Sequence, residues 1–197
     1  MRSSLACFVC PRSPASIVAL CLCLAAGACV GEGARDGDEG EGGSADEGVD
    51  ESGGEPGEPD AAALVDQALG YPDFERINAA PFASQHGLAA SVNVWVPAQY
   101  ADAYRAIDPD DAEATADFPA GAMIVKEHLD DMGEAVGVTI MVKAEAGYDP
   151  EHDDWWWGNA DLEGNISDAG VVGYCVSCHE PRAAADWLFG VAPADQL

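Results

Sequence analysis

The sequence predicts an α+β fold, a mainly antiparallel β-sheet flanked by short helices. Three observations point there. Short runs rich in Val, Ile and Trp alternate with period two. Helical spacing is confined to brief stretches. Two β-rich runs flank Asp130-Asp131-Met132-Gly133, which reads as a hairpin with a longer loop.

The elements follow in order. Ala61–Leu69 reads as a short helix. In Ser91–Val96, Val92, Val94 and Val96 alternate with Asn93 and Trp95, as in a strand. Tyr100, Tyr104 and Ile107 stand at helical spacing in Ala98–Ile107. Ala122–His128 and Val136–Lys143 form the hairpin, and Trp155–Asn159 a further strand turning at Glu163-Gly164-Asn165. Alternation would send at least one ring of Trp155–Trp157 outward. Arg182–Phe189 is predicted as a last short helix.

Composition divides the chain into three segments. It has 197 residues, 36 acidic against 8 basic side chains and a formal net charge of −28. Only two of the bases are lysines, so nucleic acid is not an expected partner, because phosphate contacts need a Lys/Arg patch. Charge-driven docking on anionic lipid is disfavoured for the same reason. Residues 1–28 carry Arg2 and Arg12, no acid, and an apolar stretch from Ala15 to Ala28, the pattern of a secretory signal. The stretch ends Ala26-Gly27-Ala28-Cys29. Small residues before a cysteine resemble a bacterial lipobox, which would make Cys29 a lipidated first residue; ordinary cleavage after Ala28 is the alternative. Residues 29–60 hold 12 acids, 10 glycines and one base. They read as a disordered tether, since they offer almost nothing to bury and their like charges repel. Residues 61–197 are the folded domain. The expected location is the periplasm or cell envelope, with the membrane reached only through the lipid on Cys29.

Cysteine usage gives the chemistry. Of seven cysteines, only Cys175 and Cys178 fall in the domain, so no disulfide framework is expected. They stand in Cys175-Val176-Ser177-Cys178-His179, the C-x-x-C-H motif of c-type haem attachment. Two thiols on one turn can add to the two vinyl groups of a haem, and the adjacent histidine then lies under the iron. A redox dithiol would want a thioredoxin-like βαβ pattern, and a zinc site would want a second cysteine pair; neither is present. One covalent haem c is therefore the expected cofactor, and the fold ends in a haem attachment segment. An axial methionine usually follows the motif. Here Met123, Met132 and Met141 all precede it and suit core or turn packing. His86, His128 and His152 stand in polar contexts that suit loops or the surface. An open or weakly occupied distal site is the expectation, which suits small-molecule chemistry better than simple electron relay.

The two lysines, Lys126 and Lys143, end the apolar runs of the hairpin. Snorkelling at strand ends is the plain explanation. The runs Phe118-Pro-Ala-Gly-Ala-Met-Ile-Val-Lys-Glu127, Val138-Thr-Ile-Met-Val-Lys143, Asp154-Trp-Trp-Trp157, Cys175-Val-Ser-Cys-His179 and Asp186-Trp-Leu-Phe189 resemble, in order and spacing, the cytochrome P-460 family. The resemblance spans residues 84–189. It implies a small, β-rich, often dimeric periplasmic haem c protein that oxidises hydroxylamine or nitric oxide. It implies a covalent bond from the nitrogen of Lys126 to a haem meso carbon. It also implies a proton-relaying carboxylate at Asp186, for which helix capping or surface exposure is the alternative. The related cytochromes c′-beta share the fold without the crosslink and bind nitric oxide or carbon monoxide. Three functions thus stand: a haem oxidoreductase, a gas-binding cytochrome, and an electron-transfer lipoprotein with a histidine as sixth ligand. The expected partners are a small nitrogen-oxide substrate or diatomic gas and a redox protein of basic surface.

Overall fold

The computed structural model describes residues 57–197. The signal segment, Cys29 and the linker up to residue 56 lie outside the described residues. Among the described residues, no helix is long and apolar enough to cross a membrane.

Ala61–Leu69 forms helix α1, started by Asp60, whose carboxylate accepts from the amides of Ala62 and Ala63, each at 3.1 Å. That satisfies two amides with no partner inside the helix. Two short strands follow, β1 (Glu75–Arg76) and β2 (Phe82–Ala83), both antiparallel to β3 (Ser91–Val96). Helix α2 (Ala98–Arg105) leads to the hairpin of β4 (Met123–Leu129) and β5 (Ala135–Lys143), then to β6 (Trp155–Ala160) and β7 (Ile166–Gly170). The sheet is antiparallel throughout, in the order β1-β3-β4-β5-β6-β7, with β2 also paired to β3. The α+β, β-rich class is the observed one.

Both faces of this sheet are covered. On one, Met123, Val125, Val138, Ile140, Val142 and Trp156 pack with Val65 and Ala68 of α1. On the other, Val94, Ile124, Met141, Trp155 and Trp157 pack with Tyr104 of α2 and with Cys175, Trp187 and Leu188. The strands therefore read as continuous apolar runs along their centres, as a sheet buried on both sides requires. All three consecutive tryptophans are buried, at 1% exposure or less. Alternation does send Trp156 to the opposite face, but α1 lies on that face. Trp156 also lies across Gly158, where a Cβ would come within 2.5 Å of the indole.

The strands β1, β2 and β7 and one helix went unanticipated, and one element is corrected. β7 is exposed at Ile166 and carries little apolar pattern. The cysteine motif lies on a short helix, α3 (Gly173–His179). The helix expected over Arg182–Phe189 is instead a 3-10 segment over Glu180–Ala185, stopped by Asp186 and Trp187 in left-handed conformation, φ 53° and 63°. Left-handed backbone at two successive non-glycine residues cannot continue a helix.

Candidate haem-binding site

α3 holds Cys175 and Cys178 three residues apart, on the same side of one helical turn. Cys175 is buried and Cys178 exposed; neither is in a disulfide. His179 closes the helix and is 4% exposed. Its ring sits edge-on between Trp157, at 4.9 Å between centroids, and Phe189, at 5.0 Å. Nδ1–H of His179 donates to the carbonyl of Trp187 at 2.5 Å. A carbonyl only accepts, so this bond puts the proton on Nδ1 and leaves Nε2 with a free lone pair. Metal-binding histidines are commonly oriented in this way.

That carbonyl is aimed by a strained turn. Asp186 is buried, and its carboxylate accepts from the Phe118 amide (2.7 Å), from Trp155 Nε1 (3.0 Å) and from the Lys143 ammonium. Trp187 Nε1 donates to Asp153 at 2.9 Å. These bonds over-determine a backbone geometry that costs on the order of 1–3 kcal/mol per residue. Arg182 adds a strap, donating to the carbonyls of Leu188, Asp111 and Asp108.

A cavity of about 710 Å³ opens beside the motif, lined by Lys126, Cys178, His179, His86, Phe82 and Tyr104 among others. A second of about 380 Å³ touches Cys175, Cys178 and His179 from the side of Thr139 and Asn159. Both volumes fall in the range of cofactor sites. Gly190 lines the larger one with φ +72°, and a Cβ there would lie 2.1 Å from the carbonyl oxygen of Ile107. Only glycine lets the chain pass so close.

The two lysines part company here. Thr139, Met141 and Lys143 alternate onto one face of β5, and Thr139 is directly opposite Lys126 in the register. Both lysines are thus on the same face, separated by roughly 13 Å of strand. Lys126 lines the cavity with Cys178 and His179, and no carboxylate pairs with it among the described residues. Burial lowers its pKa, opposed by the two cysteine sulfurs when these carry charge. Glu127 points to the opposite face, where Tyr71 (2.8 Å), Asn93 (2.8 Å) and Trp95 (3.0 Å) donate to its carboxylate. Lys143 instead pairs with Asp186 and lies 5.0 Å from the centre of the Trp155 ring.

Asp186 is therefore not among the residues lining the cavities, and its oxygens are held by three donors. Its surroundings describe a bracket between strands and the haem segment. One histidine differs from its polar sequence context: His128 lies on β4 and is 1% exposed. His86 is on a loop, as its context suggests, and lines the cavities. The hydroxyl of Thr139 joins them, 2.5 Å from His128 Nε2 and 3.4 Å from His86 Nδ1. Burial first, then the Lys126 charge, lowers the pKa of His128 and His179 to about 4 and that of His86 to about 3. One signal for His128 existed, since period two places it on the face of Lys126. His86 lies on a loop and had none. His152 sits outside the site, bonded to Asp149 at 2.6 Å and edge-on to Trp187.

The sequence profile described as Cytochrome P460 matches residues 70–190, more than half of the chain and the whole of this site. The chain belongs to the cytochrome P460 family. Membership implies a haem cofactor, and the residues present fit one: paired thiols on one turn, an imidazole with Nε2 free, and adjoining cavities of sufficient size. No curated protein matches the chain.

Proposed function

We propose that this protein is an exported haem c oxidoreductase acting on hydroxylamine or nitric oxide. In this reading Cys175 and Cys178 carry one haem through thioethers, and His179 holds the iron through Nε2. The bound haem supplies one-electron chemistry at iron; the chain's residues position, desolvate and tune it.

The observation that carries the catalytic reading is Lys126, an amine in the same cavity as Cys178 and His179 that forms no ion pair among the described residues. Lys126 would be the residue joined through its nitrogen to a haem meso carbon, as the family resemblance implies. The amine must be neutral to attack, and burial favours that form. The opposing influence of the cysteine sulfurs disappears once both are uncharged thioethers. Lys143, bound to Asp186, is held away from this space. A crosslink would distort the macrocycle, one of the levers a protein has on haem.

Cys29 acylation, with residues 30–60 as the spacer, would hold the domain off an anionic membrane. Electrons withdrawn from the substrate would pass to a redox protein of basic surface, complementary to this acidic chain. Two measurements test the proposal. Acid-acetone extraction should leave the haem on the denatured polypeptide, and its complete release overturns attachment. The ferrous optical spectrum should show a strongly red-shifted Soret band. An ordinary Soret on covalent haem overturns the crosslink, and with it the oxidase reading in favour of a gas-binding protein.

A further inference from the structure

Helix α3 keeps one side in the core and leaves the other bare. Cys175 and His179 are buried, and Val172 and Val176 pack against the core beside them. Val171, just ahead of the helix, and Tyr174 and Cys178 on it turn outward; all three are exposed, Tyr174 at 59%. From Val171 to Cys178 there is no charged side chain, in a chain of 36 acidic residues. An exposed helix face ordinarily carries charge. An uncharged, partly apolar window in so acidic a surface matches the centre of an interface, where charge is depleted and tyrosine enriched. Tyr174 is also held still, because its hydroxyl accepts from Asn159 Nδ2 at 2.7 Å while the ring lies open. A ring fixed in advance loses little freedom on binding.

Carboxylates stand around this window. Asp168 precedes it on β7, and Glu180 directly follows α3. Glu58 comes from the start of the domain; its carboxylate accepts from the Tyr148 hydroxyl at 3.1 Å and lies against Gly170, the residue before Val171. The five Lys and Arg side chains among the described residues are all committed elsewhere. Lys126 lines the large cavity, Lys143 pairs with Asp186, Arg105 pairs with Glu75, and Arg182 is bound to backbone carbonyls. Arg76 is on β1, at the opposite edge of the sheet from β7. The rim is therefore negative and the centre uncharged, which fits a partner with an apolar centre ringed by Lys and Arg.

We propose that the outer face of α3 is the docking surface of a basic redox protein that takes up the electrons. This rests on the haem reading above and adds the place and the contact chemistry. In that reading the cofactor is bonded to Cys178, the exposed thiol of the pair, so the partner meets it at the centre of the window. Each encounter moves one electron, from ferrous haem to the partner's oxidised centre, and no atom or proton is transferred.

The test uses the intact holoprotein, with ferric mitochondrial cytochrome c as a basic redox probe. Calorimetry gives binding, and stopped-flow mixing with the dithionite-reduced holoprotein gives transfer. Binding should weaken between about 10 and 150 mM salt, as the charges are screened. Val171→Lys sets a like charge at the centre and should weaken binding about tenfold, slowing second-order transfer in parallel with the haem spectrum unchanged. Gln67→Lys makes the same change of net charge on the exposed side of α1, across the sheet, and should alter binding by less than about twofold. Ser177→Lys, on the same face of α3, repeats the test should V171K fail to fold. Equal losses for V171K and Q67K, or binding indifferent to salt, overturn the docking face while leaving covalent haem intact. A polypeptide that carries no covalent haem overturns the underlying reading of the site as well.

Discussion

The two ends of one sheet face differ in a way that neither composition nor alternation shows. At one end Lys126 faces a cavity with Cys178 and His179 and forms no ion pair among the described residues. At the other, Lys143 is half-buried against Asp186 and Trp155. The two residues share a type, a local sequence and a face. What separates them is what the chain puts above each: a gap bounded by α3 and the β2–β3 loop, or the Asp186–Trp187 turn. The same side chain thereby lines a cavity in one place and braces a turn in the other.

Substituting the two lysines should break that comparison most sharply. Lys126→Ala is expected to keep covalent haem, give an ordinary c-type ferrous spectrum and abolish hydroxylamine oxidation. Lys143→Ala should leave the position of the Soret band unchanged and lower stability instead. If Lys126→Ala is spectrally silent, the distinction between the two ends has no catalytic meaning.

The bracket comes next in size. Asp186→Ala leaves the Lys143 ammonium without its buried partner, which typically costs about 3–5 kcal/mol. Denaturant unfolding of the holoprotein should show this as a lower midpoint at unchanged slope. Adding Lys143→Met should recover part of the loss, because the uncompensated charge is then gone. A loss below about 1 kcal/mol for Asp186→Ala would mean that the pair is solvated.

Acid titration sharpens the role of the buried histidines. His128 has its folded pKa lowered to about 4, chiefly by burial. Above pH 6.5 it is neutral folded or unfolded and adds no pH dependence. As pH falls from about 6.5 to 4 the unfolded chain takes up a proton that the folded one refuses, so stability falls, by on the order of 3 kcal/mol in total. His128→Leu should flatten that part of the profile; an unchanged slope would show that His128 titrates normally.

The smallest effect belongs to the opposite, closed face. Tyr71→Phe removes the hydroxyl that donates to Glu127 and should cost about 1 kcal/mol. The haem spectrum should stay as it was, since Lys126 points away from this contact. A spectral change would mean that the two faces are coupled through β4.

Much of this was legible in the chain, for reasons that are local. Residues 61–69 and 91–96 have the same bounds in sequence and structure, because a capping aspartate and strict alternation act within a few residues. The C-x-x-C-H helix face and the outward turn of Glu127 from Lys126 depend only on helical and strand periods. Burial of all three tryptophans was not legible, since it needs α1 on the far face, and neither was the stop at Asp186, since its carboxylate is held by donors from three distant segments.

By itself, then, the sequence determined the sheet and its hairpin, the attachment motif, and the alternation that sets Lys126 and His128 on one face. Those follow from backbone geometry and from side-chain chemistry at fixed spacing. Only the tertiary structure decided which lysine meets the cavity, that Asp186 is a bracket, and that His86 lines the same cavities as His179 from a loop nearly a hundred residues earlier. Such choices depend on which distant segments come to lie together, and no local period encodes that.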